Sequence, residues 1–114
     1  MDTADFSGFW TGQLSGTNQG GFTLEITQEG TDVAGSAKIN EPALGVYEYR
    51  VTGKADKNTL KLSMAPSRND GGLQLGNVTV EVELDADDKM SGRWQSSIGT
   101  AGIARADRFK KGGQ

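Results

Sequence analysis

The sequence contains no cysteine and no histidine, and only 2 of its 114 residues are proline. These absences exclude a disulfide framework, zinc sites built from Cys and His, a cysteine nucleophile and a Ser-His-Asp triad. No apolar run approaches the roughly 20 residues of a membrane-spanning helix, so no membrane partner is expected. The 12 basic residues do not outnumber the 15 acidic ones, which makes nucleic acid an unfavourable partner.

The start of the chain also lacks the features of a signal peptide. Residues 1–5 are Met-Asp-Thr-Ala-Asp, without a basic start or an apolar core. We therefore expect a soluble bacterial protein of the cytoplasm, or a periplasmic or secreted one if the chain is a processed form. The length supports a single domain over residues 1–114, with residues 1–6 and 110–114 as frayed ends.

Period-2 alternation of apolar and polar residues dominates the chain, and helical periodicity is nearly absent. This alternation is typical of strands with one buried face, and eight such strands follow one another with turn residues between them. The eighth, around residues 103–109, is the least regular. The clearest alternation is found in Val78-Thr79-Val80-Glu81-Val82-Glu83-Leu84, Phe22-Thr23-Leu24-Glu25-Ile26-Thr27 and Leu60-Lys61-Leu62-Ser63-Met64.

The connections between these strands are too short for crossover helices, so neighbouring strands must pair antiparallel. The pattern therefore predicts an all-β fold, an eight-stranded antiparallel up-and-down β-barrel. A β-sandwich with Greek-key connections is the alternative. Connections after even-numbered strands are tight, which predicts one end closed by hairpins and one open end, where ligand sites of small barrels lie. The longer connections run from Gly16 to Gly21, Asn40 to Gly45, Pro66 to Gly76 and Ser96 to Gly102.

Glycine is abundant, with 17 residues, about twice its usual share. Some of these glycines belong to turns, and others fall at inward positions within strands. Gly12, Gly35, Gly53 and Gly92 are of the second kind. Inward glycines permit the tight coiling of a small barrel or leave room for a ligand, and both explanations stay open.

The first strand opens with Gly8-Phe9-Trp10, which resembles the Gly-x-Trp signature of the calycin superfamily, including the lipocalins and avidins. Among these families, the economical eight-strand layout is most similar to the avidins. The resemblance implies that Trp10 closes one barrel end beneath a basic residue of the last strand. Arg105 and Arg108 are the candidates, and Arg105 is preferred because alternation places it on the face of two apolar neighbours.

Three aromatic residues share the predicted inward face, two of them (Tyr47 and Trp94) in the half nearer the open end, and could form the walls of a ligand pocket. They are Tyr47, Tyr49 and Trp94, and Ser96 or Asn18 could fix a polar group of the ligand. Filling of the core is the other explanation of these aromatic side chains and the one that we favour, since aromatics supply much of the buried area available here.

Two functional hypotheses follow. The first is non-enzymatic binding of a small, partly apolar molecule at the open end. The alternative is a protein-interaction or assembly module, including an inhibitor-like one, with a filled barrel and no ligand. Its partner would be another protein or a second copy of the chain. A void well under about 300 Å³ would argue against the ligand.

No catalytic residue, cofactor or metal site is predicted. The acidic turn that begins at Asp85 lacks the Gly and Glu required at positions 6 and 12 of a calcium loop. The remaining carboxylates fall on outward strand faces, where they make a poor acid–base pair.

Overall fold

The computed structural model describes residues 3–17, 19–41, 45–68, 76–85 and 88–109, without the side chains of residues 41 and 68. Eight strands close into one barrel in sequence order, and the last strand pairs antiparallel with the first. The predicted up-and-down barrel is confirmed, and the sandwich is not needed. The strands are β1 (Gly8–Gly16), β2 (Gly20–Glu29), β3 (Asp32–Glu41), β4 (Gly45–Asp56), β5 (Thr59–Arg68), β6 (Val78–Leu84), β7 (Lys89–Ser96) and β8 (Ala101–Arg108).

Alternate side chains of the strands point into a single apolar core. In β6, Val80 and Val82 are buried, whereas Thr79 and Glu81 are exposed. Within the described residues, no polar or charged residue is buried in this core. Since each fully buried apolar side chain stabilises the fold by about 1.5–3 kcal/mol, this alternation explains why the sheet closes on itself. The described part of the chain contains no helix with the length and apolarity needed to cross a bilayer.

The two ends of the barrel differ as predicted. Tight turns after even-numbered strands lie at the closed end, beside the start of β1 and the end of β8. Connections after odd-numbered strands lie at the open end, where residues 18, 42–44 and 69–75 are outside the described part of the chain. Within the described residues, these turns contain residues 30–31 and 57–58, and residues 86–87, between β6 and β7, are outside the described part of the chain.

One strand extends beyond its predicted limit. Pro66, expected to begin a loop, lies inside β5 and is paired with Tyr49. The pairing register shifts between Glu48 and Tyr49, which marks a bulge. Proline lacks a backbone donor, and bulges are among the few places where a sheet accommodates it.

The inward glycines allow the sheet to curve tightly. A Cβ atom placed on Gly35 would lie 1.9 Å from the carbonyl oxygen of Glu25, and one placed on Gly92 would lie 1.9 Å from that of Glu81. No carbon atom fits at that distance. Glycine therefore allows neighbouring backbones to approach closely and the sheet to coil tightly. At these two positions the glycines provide close approach between strands rather than free space.

Candidate functional site

The three aromatic residues predicted to line a pocket are all buried. Tyr47 is 2% exposed, and Tyr49 and Trp94 are each 5% exposed. The indole Nε1 of Trp94 donates a hydrogen bond to the carbonyl oxygen of Ser15 at 3.1 Å. It also covers Gly102, where an added Cβ would lie 2.8 Å from Nε1. All three aromatics belong to the core, and their ligand-binding role stays a prediction.

The two polar residues predicted beside them have different outcomes. Ser96 ends β7, and its hydroxyl lies 2.6 Å from the hydroxyl of Thr100 and accepts a hydrogen bond from the Thr100 backbone N–H at 3.2 Å. The Ser96 backbone N–H donates to the Thr100 carbonyl oxygen at 2.8 Å. The Ser96 side chain therefore stabilises the turn between β7 and β8. Asn18 lies outside the described residues.

A small apolar cavity lies along the barrel interior. It begins near the half-buried side chains of Leu14 and Phe22, and Val82 and Met90 line it on the side of the closed end. Its volume is about 30 Å³, and the surface that it presents is entirely apolar. Small-molecule pockets measure about 300–1,000 Å³, whereas this cavity has room for about two water-sized groups. The described residues therefore enclose no preformed pocket for a larger ligand.

Pairing of large with small residues explains why the cavity is so small. The ring of Phe22 lies against Gly12, where an added Cβ would be 2.7 Å from its Cζ. Gly12 is in turn paired with Ala106 of β8. An aromatic ring thus occupies the space that neighbouring small residues leave, as close packing of a core requires.

A cation–π contact closes the opposite end of the barrel. The guanidinium carbon of Arg108 lies 4.6 Å from the ring centroid of Trp10, which is fully buried. Arg108 also donates hydrogen bonds to the carbonyl oxygens of Ser7, at 2.7 Å, and Asp5, at 2.9 Å. Its Nε lies 3.3 Å from a carboxylate oxygen of Asp88. The planar guanidinium can make these contacts together because its donors fan out from one charged group.

The choice of Arg105 as the partner of Trp10 was therefore wrong. Arg105 is exposed on the outside of the barrel, because β8 has the opposite parity to the predicted one. Ala104 and Ala106 point inward, and Ile103 is 44% exposed. Ala104 and Ala106 instead line the interior cavity, together with Phe22.

The N-terminal segment (residues 3–7) is packed across the closed end. Phe6 is fully buried, and its carbonyl oxygen accepts a hydrogen bond from Trp10 Nε1 at 2.9 Å. The side chain of Gln28 accepts from the Phe6 backbone N–H at 2.8 Å and donates to the Ala4 carbonyl oxygen at 2.9 Å. The expectation of a frayed start is wrong for residues 3–6, since these backbone contacts tie them to the barrel. The other residues of that prediction, 1–2 and 110–114, lie outside the described residues.

Hydrogen bonding within the same segment keeps one carboxylate charged. The backbone N–H of Ser7 donates to Asp5 at 2.9 Å. This bond, the Ser7 hydroxyl and the charge of Arg108 together hold the pKa of Asp5 below its usual value. Asp5 therefore stays ionised at neutral pH and retains its charge further into the acidic range.

The closed end yields a paired prediction. Arg108→Gln is expected to lower the free energy of unfolding by about 2–3 kcal/mol, because it removes charged hydrogen bonds and the cation–π contact. Arg105→Gln is expected to change it by less than about 0.5 kcal/mol, as for an ordinary surface site. Urea unfolding of both variants at low protein concentration checks the pair. Equal losses would contradict the assignment of Arg108.

Comparison with known proteins shows the fold. No protein-family model and no curated protein sequence matches the chain. A solved structure described as the de novo design of a fluorescence-activating β-barrel is similar, with a TM-score of 0.71 and 17% identity over 90% of this chain and 93% of that chain. The likeness supports the closed eight-stranded barrel. Membership of the calycin superfamily stays a prediction.

Proposed function

We propose that this chain is a non-enzymatic protein-interaction or assembly module, whose filled barrel is a rigid scaffold for its outer surface. The observation that carries the proposal is the interior cavity of about 30 Å³, about a tenth of the smallest usual ligand pocket. The aromatic residues that could have lined such a pocket instead complete the core. In this proposal the function belongs to the outer surface.

Exposed apolar side chains on β1 and β8 support this proposal. Phe9 and Phe109 are 39% and 58% exposed and form an edge-to-face pair with ring centroids 5.9 Å apart. Ile103, also exposed, lies farther along the outer face of β8. Aromatic residues are enriched in protein interfaces, and exposed apolar clusters indicate docking sites more often than isolated apolar residues do.

The proposal is tested by asking whether the interior admits an apolar molecule. Native mass spectrometry of the purified full chain is expected to give the mass of the polypeptide alone. Titration with the dye Nile red is expected to leave its emission unchanged, because the interior lacks room for it. Phe22→Ala is the positive control for an interior site, since removal of this ring opens space beside Gly12 and is expected to admit a benzene-sized molecule.

Dye binding at the surface must be separated from dye binding inside the barrel. Phe9→Ser combined with Phe109→Ser removes the exposed aromatic pair and leaves the interior intact. If wild type and this double variant both bind the dye with a dissociation constant below about 10 µM, the filled-barrel proposal is wrong.

A second candidate function is uptake of a small apolar molecule through the open end. It is favoured by the wholly apolar cavity surface and by the half-buried Leu14 and Phe22 beside it. The similar designed barrel is described as fluorescence-activating, which fits this candidate loosely. Such a ligand would have to displace Phe22. The same titration decides when it is repeated on Trp10→Phe, in which Trp94 is the single tryptophan. Dye binding together with a change in Trp94 emission would support this candidate over the first.

A further inference from the structure

Three outward side chains of β8 and that of Phe109, which follows the strand, form an ordered series. From the open end toward the closed end they are apolar Ile103, basic Arg105, acidic Asp107 and apolar Phe109. All four are exposed. Since successive outward residues are separated by two positions, the series extends over roughly 20 Å of strand. Ala106, which points inward, lies at its centre.

This series is complementary to itself when reversed. If a second copy is turned by a two-fold rotation centred at Ala106, its β8 runs antiparallel across the first. Arg105 then faces Asp107 of the other copy, and Ile103 faces its Phe109. Each contact occurs twice, as in every interface with two-fold symmetry, where the same surface serves both partners.

We propose that the chain forms a two-fold symmetric dimer through the outer face of β8. This proposal rests on the assembly function and names its partner as a second copy of the chain. Two Arg–Asp pairs and two apolar contacts hold the copies together. Stacked sheets commonly pack with their strands within about 30° of alignment, which permits this antiparallel arrangement.

The neighbouring strands are compatible with the same rotation. On β1, Thr11 lies beside Asp107 and Gln13 lies beside Arg105, so these two uncharged polar residues face each other across the axis. On β7, Lys89 lies beside Asp107 and faces Ser91 in the same way. No like charges of β1 and β7 meet around the two-fold axis among these residues.

The edge-to-face contact with Phe9 also favours docking of Phe109. Phe109 follows β8 directly, and its backbone N–H donates to the carbonyl oxygen of Phe9 at 2.7 Å. Its ring is therefore held in place before a partner arrives. A pre-positioned aromatic residue loses less conformational freedom on binding than a mobile one.

Sedimentation velocity of the full chain from roughly 5 to 500 µM tests the proposal. Wild type is expected to shift from monomer to dimer across this range. Arg105→Glu places two acidic groups opposite each other, and Asp107→Arg places two basic groups opposite each other. Each single reversal is expected to weaken dimerisation about tenfold or more, because like charges then face one another in the interface.

Two rescue experiments separate this geometry from a general effect of charge. The double variant Arg105→Glu/Asp107→Arg exchanges both members of each pair and is expected to dimerise like wild type. An equimolar mixture of the two single variants is expected to form a heterodimer. In that heterodimer each acidic residue of the Arg105→Glu copy faces a basic residue of the Asp107→Arg copy. Lys38→Glu, on the outer face of β3, is the control and is expected to leave dimerisation unchanged.

A chain that stays monomeric throughout the range overturns the dimer. So does a dimer that both single reversals leave intact, or whose rescue fails while circular dichroism shows folded variants. If the chain is monomeric and still excludes Nile red, the dimer is wrong and the assembly function requires a different partner. If wild type binds the dye inside the barrel, the proposed assembly function is wrong, whatever the result of the dimerisation experiment.

Discussion

Replacing Trp10 with alanine is expected to lower the free energy of unfolding by about 3–5 kcal/mol. The indole is fully buried, lies 4.6 Å from the Arg108 guanidinium carbon and donates a hydrogen bond to Phe6. Its loss leaves a cavity, an arginine without its aromatic partner and a carbonyl oxygen without its donor. Domains are commonly stable by only about 5–15 kcal/mol, so this single change removes a large part of the total.

The adjacent Phe9 provides the control for this experiment. It occupies the same strand but is 39% exposed, and Phe9→Ala is expected to cost less than about 1 kcal/mol. Urea unfolding followed by circular dichroism measures both variants. If Trp10→Ala cost no more than Phe9→Ala, the closed end would contribute little to stability, and the resemblance to the calycin signature would lose its structural basis.

Adding one methyl group at Gly92 is expected to be nearly as damaging. The new Cβ of Gly92→Ala would lie 1.9 Å from the carbonyl oxygen of Glu81 and 2.7 Å from the Cα of Val82. Both contacts involve backbone, which cannot turn aside as a flexible side chain can. The two strands must therefore separate, and we expect a loss of about 3 kcal/mol, at the upper end of the range for overpacking.

Gly21→Ala is the matched control because its added Cβ would meet only the carbonyl oxygen of Gly12, at 3.7 Å. This is an ordinary contact, and the free energy of unfolding is expected to change by less than about 0.5 kcal/mol. Thermal and urea unfolding of both alanine variants measure the difference. If Gly92→Ala were equally harmless, close approach of the strands would not be the reason for glycine at that position.

Residue alternation was sufficient to predict the barrel because nearly every strand has one buried, apolar face and one solvent-exposed, polar face. In β6, strict alternation from Val78 to Leu84 predicts a strand with one buried face, and the observed burial alternates along the strand in the same way. The tight turns then followed from the short spacing between such segments. Local pattern therefore predicted the architecture without any knowledge of contacts between distant residues.

The same reasoning failed for β8 because its apolar residues face outward. Ile103 and Phe109 suggested an inward face, whereas Ala104 and Ala106 occupy it. Which face of β8 points inward depends on its packing against the other strands, and the sequence of a single strand does not contain that information. Because the wrong face of β8 was predicted to point inward, Arg105 was predicted as the partner of Trp10. For the same reason, the outward series on which our dimer proposal rests was not evident from the sequence.

The candidate pocket residues show a related limit. Inward position was correctly predicted for Tyr47, Tyr49 and Trp94, but position alone does not reveal whether neighbours leave a void.

The burial of Phe6 is not evident from the sequence, since this residue precedes the alternating strand and follows an aspartate. Its burial depends on the side chain of Gln28, 22 residues away, which holds its backbone N–H.

Pairing of β8 with β1 has a consequence for how the chain is made. Ser7 and Arg108 are 101 positions apart, and their hydrogen bond joins the beginning of the barrel to its end. During synthesis, one edge of β1 stays unpaired until β8 has been made. Contacts between residues so far apart in sequence form late, because the entropy of closing the long intervening loop must be lost first. Closure of the barrel therefore requires that all eight strands have been synthesised.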